Sequence, residues 1–210
     1  MIEPYAVTNA RFGRFAEATG YVTEAEHQGW SFVFAGRLAA DHPPTRALAT
    51  APWWRAVTGA CWHAPDGPGS SARPDHPVVH VSYADAVLFC RWAGERLPGV
   101  DEWERFARAG VRSRYPWGDT WDHARANAFR GDFPNGTAGT VPVDAFEPNP
   151  AGLFNVVGNV WEWTEEQMLC GGSYLCHPSY CDRNQLSGRT SGEAPMGHIG
   201  FRTATLHPAG

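Results

Sequence analysis

Glycine and proline interrupt this chain so often that long regular elements have little room to form. Its 210 residues include 23 Gly and 17 Pro, and both types are unfavourable inside helices and central strands. Hydrophobic residues still make up 43 % of the chain, including 10 Trp and 11 Phe, so a sizeable core can form. These features predict a single α+β domain over residues 1–210, rich in loops and built from short elements around large aromatic side chains.

Charge and cysteine usage narrow the classes of function. The net charge is −5 with no basic run, so neither nucleic acid nor an anionic membrane surface is an expected partner. The first residues do not form a secretory signal, and no apolar run is long enough to span a bilayer. We therefore expect a cytoplasmic protein with reduced thiols. An odd number of cysteines, five, also argues against a complete disulfide framework.

Three segments carry helix signals. Residues 8–20 place apolar side chains on one face between a capping residue, Thr8 or Asn9, and a closing glycine. Residues 82–94 begin with Ser82 and Asp85 in capping-box positions and also end at a glycine. Residues 101–110 repeat the pattern. Since these signals are local, we expect helices over all three segments.

The region between the first two helices is less regular. Residues 41–76, rich in proline, glycine and small residues, are predicted to form a long surface excursion pinned by tryptophans, and residues 77–81 a short strand. His76 and His80 would lie about 13 Å apart on such a strand. We therefore expect structural roles for both histidines and not a metal pair.

Cys176 and Cys181 are the most chemically informative residues. Positions five apart on a straight strand face opposite ways and lie roughly 16 Å apart, so only a bend can bring the sulfurs together. Pro178 between them favours such a bend. Facing thiolates would suit Cu(I), or zinc with further ligands. From the spacing alone, however, a disulfide or two unrelated buried thiols is the better supported alternative. Cys61 and Cys90 have no metal-ligand spacing, and we expect free buried thiols there.

Residues 171–181, GGSYLCHPSYC, resemble the active-site segment of the formylglycine-generating enzymes. Similar blocks follow one another in the family's order across nearly the whole chain. They span residues 20–36, 75–82, 91–98, 115–119, 141–146, 158–163 and 200–202.

The resemblance implies a C-type-lectin-like fold and a specific activity. Such enzymes oxidise a cysteine in a Cys-x-Pro-x-Arg segment of an unfolded sulfatase to Cα-formylglycine, using O2, a thiol reductant and copper. By position, Cys176 and Cys181 would bind Cu(I) as a bis-thiolate. Ser173 matches a residue that polarises the oxygen or substrate side of the site, and Trp161 matches one that lines it. On the substrate side, the corresponding positions are Arg189 and His198, where the family has an arginine- and tyrosine-rich stretch and an Asn.

The resemblance also implies calcium (Ca2+) as a second cofactor. Without it, residues 155–162 would be interpreted as a Gly/Asn turn before a core tryptophan pair. With the resemblance, four of these residues match a calcium loop of the family. A second, incomplete calcium site lies earlier in the chain. The first set is Asn155, Gly158, Val160 and Glu162, and the second retains Asn127 and the Ala128 carbonyl but lacks the family's acidic ligand.

Departures from the family pattern leave a second class of function open. The family's N-terminal strand segment is missing, and residues 133–140 and 163–170 are shorter than their counterparts. Cys170 is an added thiol that could pair with an active cysteine or become an extra metal ligand. The alternative function is therefore a non-catalytic, C-type-lectin-like binding paralogue. Paralogues of that kind tend to lose the thiols, whereas this chain retains both. The related sulfoxide synthases carry an additional iron-binding domain for which 210 residues leave no room.

Overall fold

The computed structural model describes residues 1–181, 183–192 and 194–206. It contains short elements joined by long ordered loops, which confirms the predicted loop-rich α+β domain. The helices are α1 Asn9–Thr19, α2 Glu24–Gln28, α3 Tyr83–Ala93 and α4 Val100–Arg108, with a 3-10 turn at Ala35–Arg37. The strands are β1 Trp30–Phe34, β2 Arg46–Leu48, β3 Ala51–Thr58, β4 Glu95–Arg96, β5 Trp161–Trp163, β6 Met168–Cys170, β7 Arg189–Ser191, β8 Ile199–Phe201 and β9 Ala204–Thr205.

Helices α1 and α3 begin and end where the local signals predict, whereas α4 begins one residue early and ends at Arg108. The short helix α2 was not predicted, although Thr23 and Glu26 form a capping box at its start. The Thr8 hydroxyl accepts a hydrogen bond from the Arg11 N–H at the start of α1. Ser82 and Asp85 complete the capping box of α3. In the described residues no helix is both long and apolar enough to cross a bilayer.

Residues 41–76 are not only a surface excursion, so that prediction was wrong. Strands β2 and β3 lie within this segment, and β3 pairs antiparallel with both β1 and β2 in the order β1-β3-β2. Ala51, Trp54 and Val57 of β3 are buried. Because β3 lacks a strict two-residue alternation, its pairing with the distant β1 was not visible as a strand pattern.

The strand predicted for residues 77–81 was also wrong. Pro77 makes one isolated bridge to Thr8, and His80 has a positive φ of 59° that turns the chain. The two histidines have separate partners, since the His76 ring bonds the Thr140 hydroxyl and the His80 ring bonds the Ser31 hydroxyl. These contacts agree with structural roles for both.

A four-stranded sheet in the order β7-β6-β5-β8 lies at the centre of the second half. Strands β5 and β8 run parallel, with Trp161 opposite Ile199 and Trp163 opposite Phe201. On one side, Phe201 packs against the aromatic side chains of α1 and α3, including Phe89 at 5.3 Å between ring centroids. The sheet therefore joins the helical core to the loops that follow β6.

A buried ion pair lies on the other side of the sheet. The Arg202 guanidinium donates to both oxygens of Glu162 at 2.6 and 2.7 Å, and neither side chain is more than 2 % exposed. Arg202 also donates to the carbonyls of Glu3, Pro4 and Phe154. All five guanidinium N–H groups thus have acceptors. The network ties both ends of the described chain to β5.

Candidate active site

The two cysteines that the sequence singles out meet in the structure. The Cys176 and Cys181 sulfurs are 3.1 Å apart, longer than the roughly 2.05 Å of a disulfide. Neither cysteine forms a disulfide, and neither do the chain's other three cysteines. Cys176 is 2 % exposed, whereas Cys181 is half-buried. The disulfide alternative is therefore not the state observed, and the sulfurs form a pair open on one side.

Two glycines and a helical turn bring the sulfurs together. Gly171 and Gly172 have φ angles of 90° and 82°, and a Cβ on Gly172 would lie 2.6 Å from the Asn184 Cα. Both the backbone conformation and the close approach therefore favour glycine. After Cys176, the Cys181 N–H donates to the His177 carbonyl at 2.7 Å. This helical turn supplies the bend predicted between the two cysteines.

The environment of Cys176 favours the protonated thiol. The hydrogen bond with Cys181, together with burial, raises the pKa of Cys176 well above its usual value. A backbone hydrogen bond from the Ser173 N–H to the Cys176 sulfur, at 3.4 Å, opposes this shift. Because thiolates are the metal-binding form, a soft cation would displace protons from the pair on binding.

The thiol pair lies on the wall of a cleft of about 810 Å³. Trp161, Ser173 and His198 line the same cleft, so the structure brings these three predicted residues to the thiols. The Ser173 hydroxyl accepts from the Leu175 N–H at 3.2 Å. Further lining residues include Phe32, Leu48, Trp54, Tyr180, Arg183, Thr190 and Met196.

An aromatic ridge borders Cys181. Tyr180 stacks on Phe133 with ring centroids 4.8 Å apart, and its edge meets Trp53 at 4.7 Å. Tyr180 is 42 % exposed. The ridge therefore presents an apolar surface beside the sulfurs.

The similarities of the chain agree with this geometry. Residues 1–206 match the family model described as sulfatase-modifying factor enzyme 1-like domain. The chain belongs to this family. It is 45 % identical to the formylglycine-generating enzyme of Thermomonospora curvata, over 97 % of this chain and 81 % of that protein. It is 42 % identical to the enzyme of the same name from Bos taurus, over 98 % of this chain but 65 % of that protein.

Two further similarities bear on activity and fold. The inactive Cα-formylglycine-generating enzyme 2 of Mus musculus is 44 % identical over 97 % of this chain and 74 % of its own length. The solved structure of PvdO from Pseudomonas aeruginosa superposes with a TM-score of 0.64 at 21 % identity, covering 96 % of this chain and 78 % of that one. Overall similarity within the family therefore does not by itself separate active from inactive members.

His198 is a buried polar residue of the cleft whose ring is not fully hydrogen-bonded among the described residues. Its side chain is buried, and the ring lies 4.5 Å from the Trp54 ring. Within the described residues, its Nδ1 has no hydrogen-bond partner. Burial, followed by the nearby His80, lowers the pKa of His198 to about 3. The ring is therefore neutral at physiological pH and presents one unpaired nitrogen.

Arg189, the other residue assigned to substrate, does not line the cleft as described. Its guanidinium pairs with Glu104 of α4 and lies 4.0 Å from Asp101. Arg183 and Thr190 line the cleft in its place. The sequence contains no local signal for Arg183, whereas Tyr180 could have been found because it lies inside the cysteine motif.

The predicted calcium ligands have mixed surroundings. The Asn155 Nδ2 donates to the Val143 carbonyl at 2.9 Å, while its buried Oδ1 has no partner in the described part of the chain. That oxygen fits a cation ligand. Glu162, in contrast, is already bonded by Arg202 and by the Trp103 indole at 2.7 Å. The Gly158 N–H donates to Gly171, and Val160 is buried.

The second calcium site and Cys170 have more specific local roles. The Asn127 amide donates to the Gly139 carbonyl and to Asn159 at 2.8 and 3.2 Å. Its neighbour Ala128 is buried, and calcium there stays a prediction. Cys170 packs with Trp103 in a different hydrophobic cluster from that of Cys176. Burial raises the pKa of Cys170 to about 12. Because Cys170 belongs to the other cluster and is not among the described residues that line the cleft, the structure does not group it with the thiol pair.

Proposed function

We propose that this family member is a copper-dependent oxidase that converts a cysteine in a Cys-x-Pro-x-Arg segment of an unfolded sulfatase to Cα-formylglycine. The observation that carries the proposal is the thiol pair, Cys176 and Cys181, 3.1 Å apart on the wall of a cleft. The names of the bacterial and bovine relatives support it. We place the reaction in the cytoplasm, where a thiol reductant is available.

The donor set of the cleft fits copper in its reduced state. Two sulfur ligands without a nearby carboxylate among the described lining residues favour a soft cation such as Cu(I) over calcium or magnesium. Bound copper would supply the centre at which O2 is reduced. Cys176 is fixed in the core and Cys181 sits at its edge, so substrate would approach from the side of Cys181.

Other residues of the chain would position the peptide and exclude water. Trp161 and the aromatic ridge of Trp53, Phe133 and Tyr180 offer apolar surface for an extended segment. Ser173, whose oxygen accepts from Leu175, can donate its own proton toward the cleft. Neutral His198 can exchange a hydrogen bond with the bound peptide without adding charge.

The electron balance explains why a reductant is needed. Converting the substrate cysteine side chain and one water to an aldehyde and hydrogen sulfide releases two electrons and two protons. Reducing O2 to two waters consumes four of each. Two electrons and two protons must therefore come from an external reductant, such as two thiols that become a disulfide.

The test incubates the full chain with Cu(I), O2, a thiol reductant and a Cys-x-Pro-x-Arg peptide. We expect mass spectrometry to detect an aldehyde that an aminooxy reagent traps, with hydrogen sulfide as co-product. Cys181→Ser should reduce turnover to background, because one soft ligand is lost. Cys90→Ser, at a buried thiol on α3, should retain it.

The alternative is a binding paralogue that holds the peptide without turnover, and the similarity to an inactive family member supports it. A folded, copper-loaded wild-type chain that binds the peptide and leaves it unchanged would establish that alternative. Loss of activity in Cys90→Ser as well as in Cys181→Ser would show that the assay reports general thiol damage and not the pair.

We also propose calcium as a structural cofactor at residues 155–162. The unpaired Asn155 Oδ1 supports it, with backbone carbonyls of Gly158 and Val160 as further candidate ligands. The Glu162 carboxylate would have to bind calcium while keeping Arg202. Calcium in this position would brace the loop that precedes β5.

A further inference from the structure

A second group of metal-binding side chains lies in the first third of the chain. Glu26 belongs to α2, and Cys61 and His63 belong to the turn that follows β3. A carboxylate oxygen, a sulfur and a ring nitrogen from these residues all lie within 4.8 Å of one another. The antiparallel β1–β3 pairing, which places Trp30 opposite Thr58, brings the two segments together.

Cys61 is held by a tight turn. Its N–H and carbonyl exchange hydrogen bonds with Ala64 at 3.2 Å. The side chain is buried, and this burial raises the pKa of Cys61. Backbone N–H groups of His63 and Ala64 face the sulfur and act in the opposite direction. The turn therefore provides donors that would stabilise a thiolate once a cation lies beside it.

Glu26 is oriented by the capping box of α2. Its Oε2 accepts from the Thr23 N–H and hydroxyl at 2.9 and 2.7 Å, which fixes the carboxylate. Its Oε1 faces the His63 Nε2 at 3.4 Å, longer than a good hydrogen bond. The His63 side chain is 55 % exposed, so it has room to move.

We propose that Glu26, Cys61 and His63 form a Zn²⁺ site with one oxygen, one sulfur and one nitrogen ligand and water in the fourth position. This mixed set suits zinc, which binds all three atom types tetrahedrally at roughly 2.0–2.3 Å. A thiolate and a carboxylate together neutralise the divalent cation, which makes a half-buried location acceptable. The three ligand atoms already lie within 4.8 Å of one another, so only a small shift of these side chains is needed for them to converge on one ion.

Zinc at this position would link α2 to the β1-β3-β2 sheet. Trp54 of β3 lines the thiol cleft, so the link would brace one wall of that cleft. The site differs chemically from the Cys176–Cys181 pair, because it offers one sulfur and not two. This difference makes the two sites separable by spectroscopy.

The test uses the full chain carrying Cys176→Ser and Cys181→Ser, which removes the competing thiol pair, and titrates Co²⁺ and Zn²⁺ under reducing conditions. We expect one equivalent of Co²⁺ with a thiolate-to-metal charge-transfer band, displaced by Zn²⁺. X-ray absorption of the zinc form should fit a single sulfur ligand. Adding Cys61→Ser should abolish the band, and His63→Ala or Glu26→Gln should weaken Zn²⁺ binding by at least about 100-fold.

Each of these changes has a matched control. Cys90→Ser alters another buried thiol, His27→Ala and Glu24→Gln alter exposed residues of the same helix, and all three should leave the affinity within about twofold. Gln at position 26 also keeps a residue that can complete the capping box. A band that persists in Cys61→Ser, no band at all, or equal losses in the controls would overturn the proposal. If Cys61→Ser does not fold, the exposed His63→Ala decides the outcome.

Discussion

The Arg202–Glu162 network and the thiol cleft lie on opposite sides of β5, and they differ in how completely their polar atoms are hydrogen-bonded. Around Arg202, every guanidinium N–H has an acceptor and both Glu162 oxygens are bonded. In the thiol cleft, the Cys176 sulfur has a weak donor in Ser173 and a second thiol. There the His198 Nδ1 lacks a partner among the described residues.

This difference in hydrogen bonding separates a structural region, the Arg202 network, from a candidate binding site, the thiol cleft. A buried charge is tolerated only when its hydrogen bonds are complete, and the Arg202 network meets this requirement. A side chain that binds a ligand must instead leave some of its hydrogen-bonding or metal-binding atoms without a partner in the free protein. Since buried polar atoms without partners cost free energy, the unpaired atoms of the cleft lower the stability of the fold. The fully bonded Arg202 network offsets that loss.

The largest expected effect comes from breaking the network. Arg202→Leu should lower the free energy of unfolding by about 3–5 kcal/mol, because Glu162 would remain buried without its partner. Urea denaturation measures the change. Cys181→Ser should stay within about 1 kcal/mol of wild type, and so should Arg125→Ala at an exposed ion pair. A loss for Cys181→Ser equal to that for Arg202→Leu would contradict the division into scaffold and site.

The pH dependence of the unfolding free energy should report on His198 in the thiol cleft. Because the pKa of His198 is lowered to about 3 and an unfolded histidine titrates near 6.5, the unfolded state alone binds this proton between those values. Stability should therefore fall as pH drops below 6.5, by a few kcal/mol in total by pH 4.5. His198→Asn should remove this contribution, measured as a smaller slope of unfolding free energy against pH.

A suitable control is His27→Gln, at an exposed histidine of α2. It should leave the slope unchanged. An unchanged slope in His198→Asn would mean that the buried imidazole takes up its proton in the folded state.

The smallest expected effect concerns Asn155, a residue outside the cleft whose buried side-chain oxygen has no partner in the described structure. The Asn155 Oδ1 is buried and unpaired in the described structure, although it lies outside the cleft lining. If calcium binds there, Ca2+ at ten times its Kd should stabilise the fold by roughly 1.4 kcal/mol. Thermal unfolding with and without Ca2+ measures this shift, and Asn155→Ala should abolish it. Mg2+ at the same concentration should have less effect, because it dehydrates reluctantly. Equal responses of wild type and Asn155→Ala would exclude the site.

Local chemistry explains which elements the sequence could predict. Thr8, Ser82 and Asp85 bond to backbone groups within three residues, so their helix ends can be recognised from the sequence alone. Strand β3 depends on β1, and residues 77–81 depend on their surroundings. Their apolar run was interpreted as a strand, although His80 turns the chain. Pairings over long sequence distances leave little trace in a single sequence.

The same limit applies to the candidate site. Cys176, Cys181, Ser173 and Trp161, which the resemblance assigns to one site, line one cleft in the structure, and a short segment carries three of them. Their catalytic roles stay predictions. Glu162 illustrates what the motif could not give, since its strongest partner lies 40 residues away at Arg202. Its contacts there follow from the parallel β5–β8 pairing, which no local spacing encodes.

The Arg202 network also has a consequence for synthesis on the ribosome. Arg202 joins β5 to the carbonyls of Glu3 and Pro4 across 199 and 198 positions, and β8, which flanks β5, is made just before it. The nascent chain therefore cannot complete the Arg202 network until residue 202 has emerged from the ribosome. Closing such long loops costs entropy that local contacts do not repay. Cys176 and Cys181 are therefore synthesised before the Arg202 network that supports β5 can form.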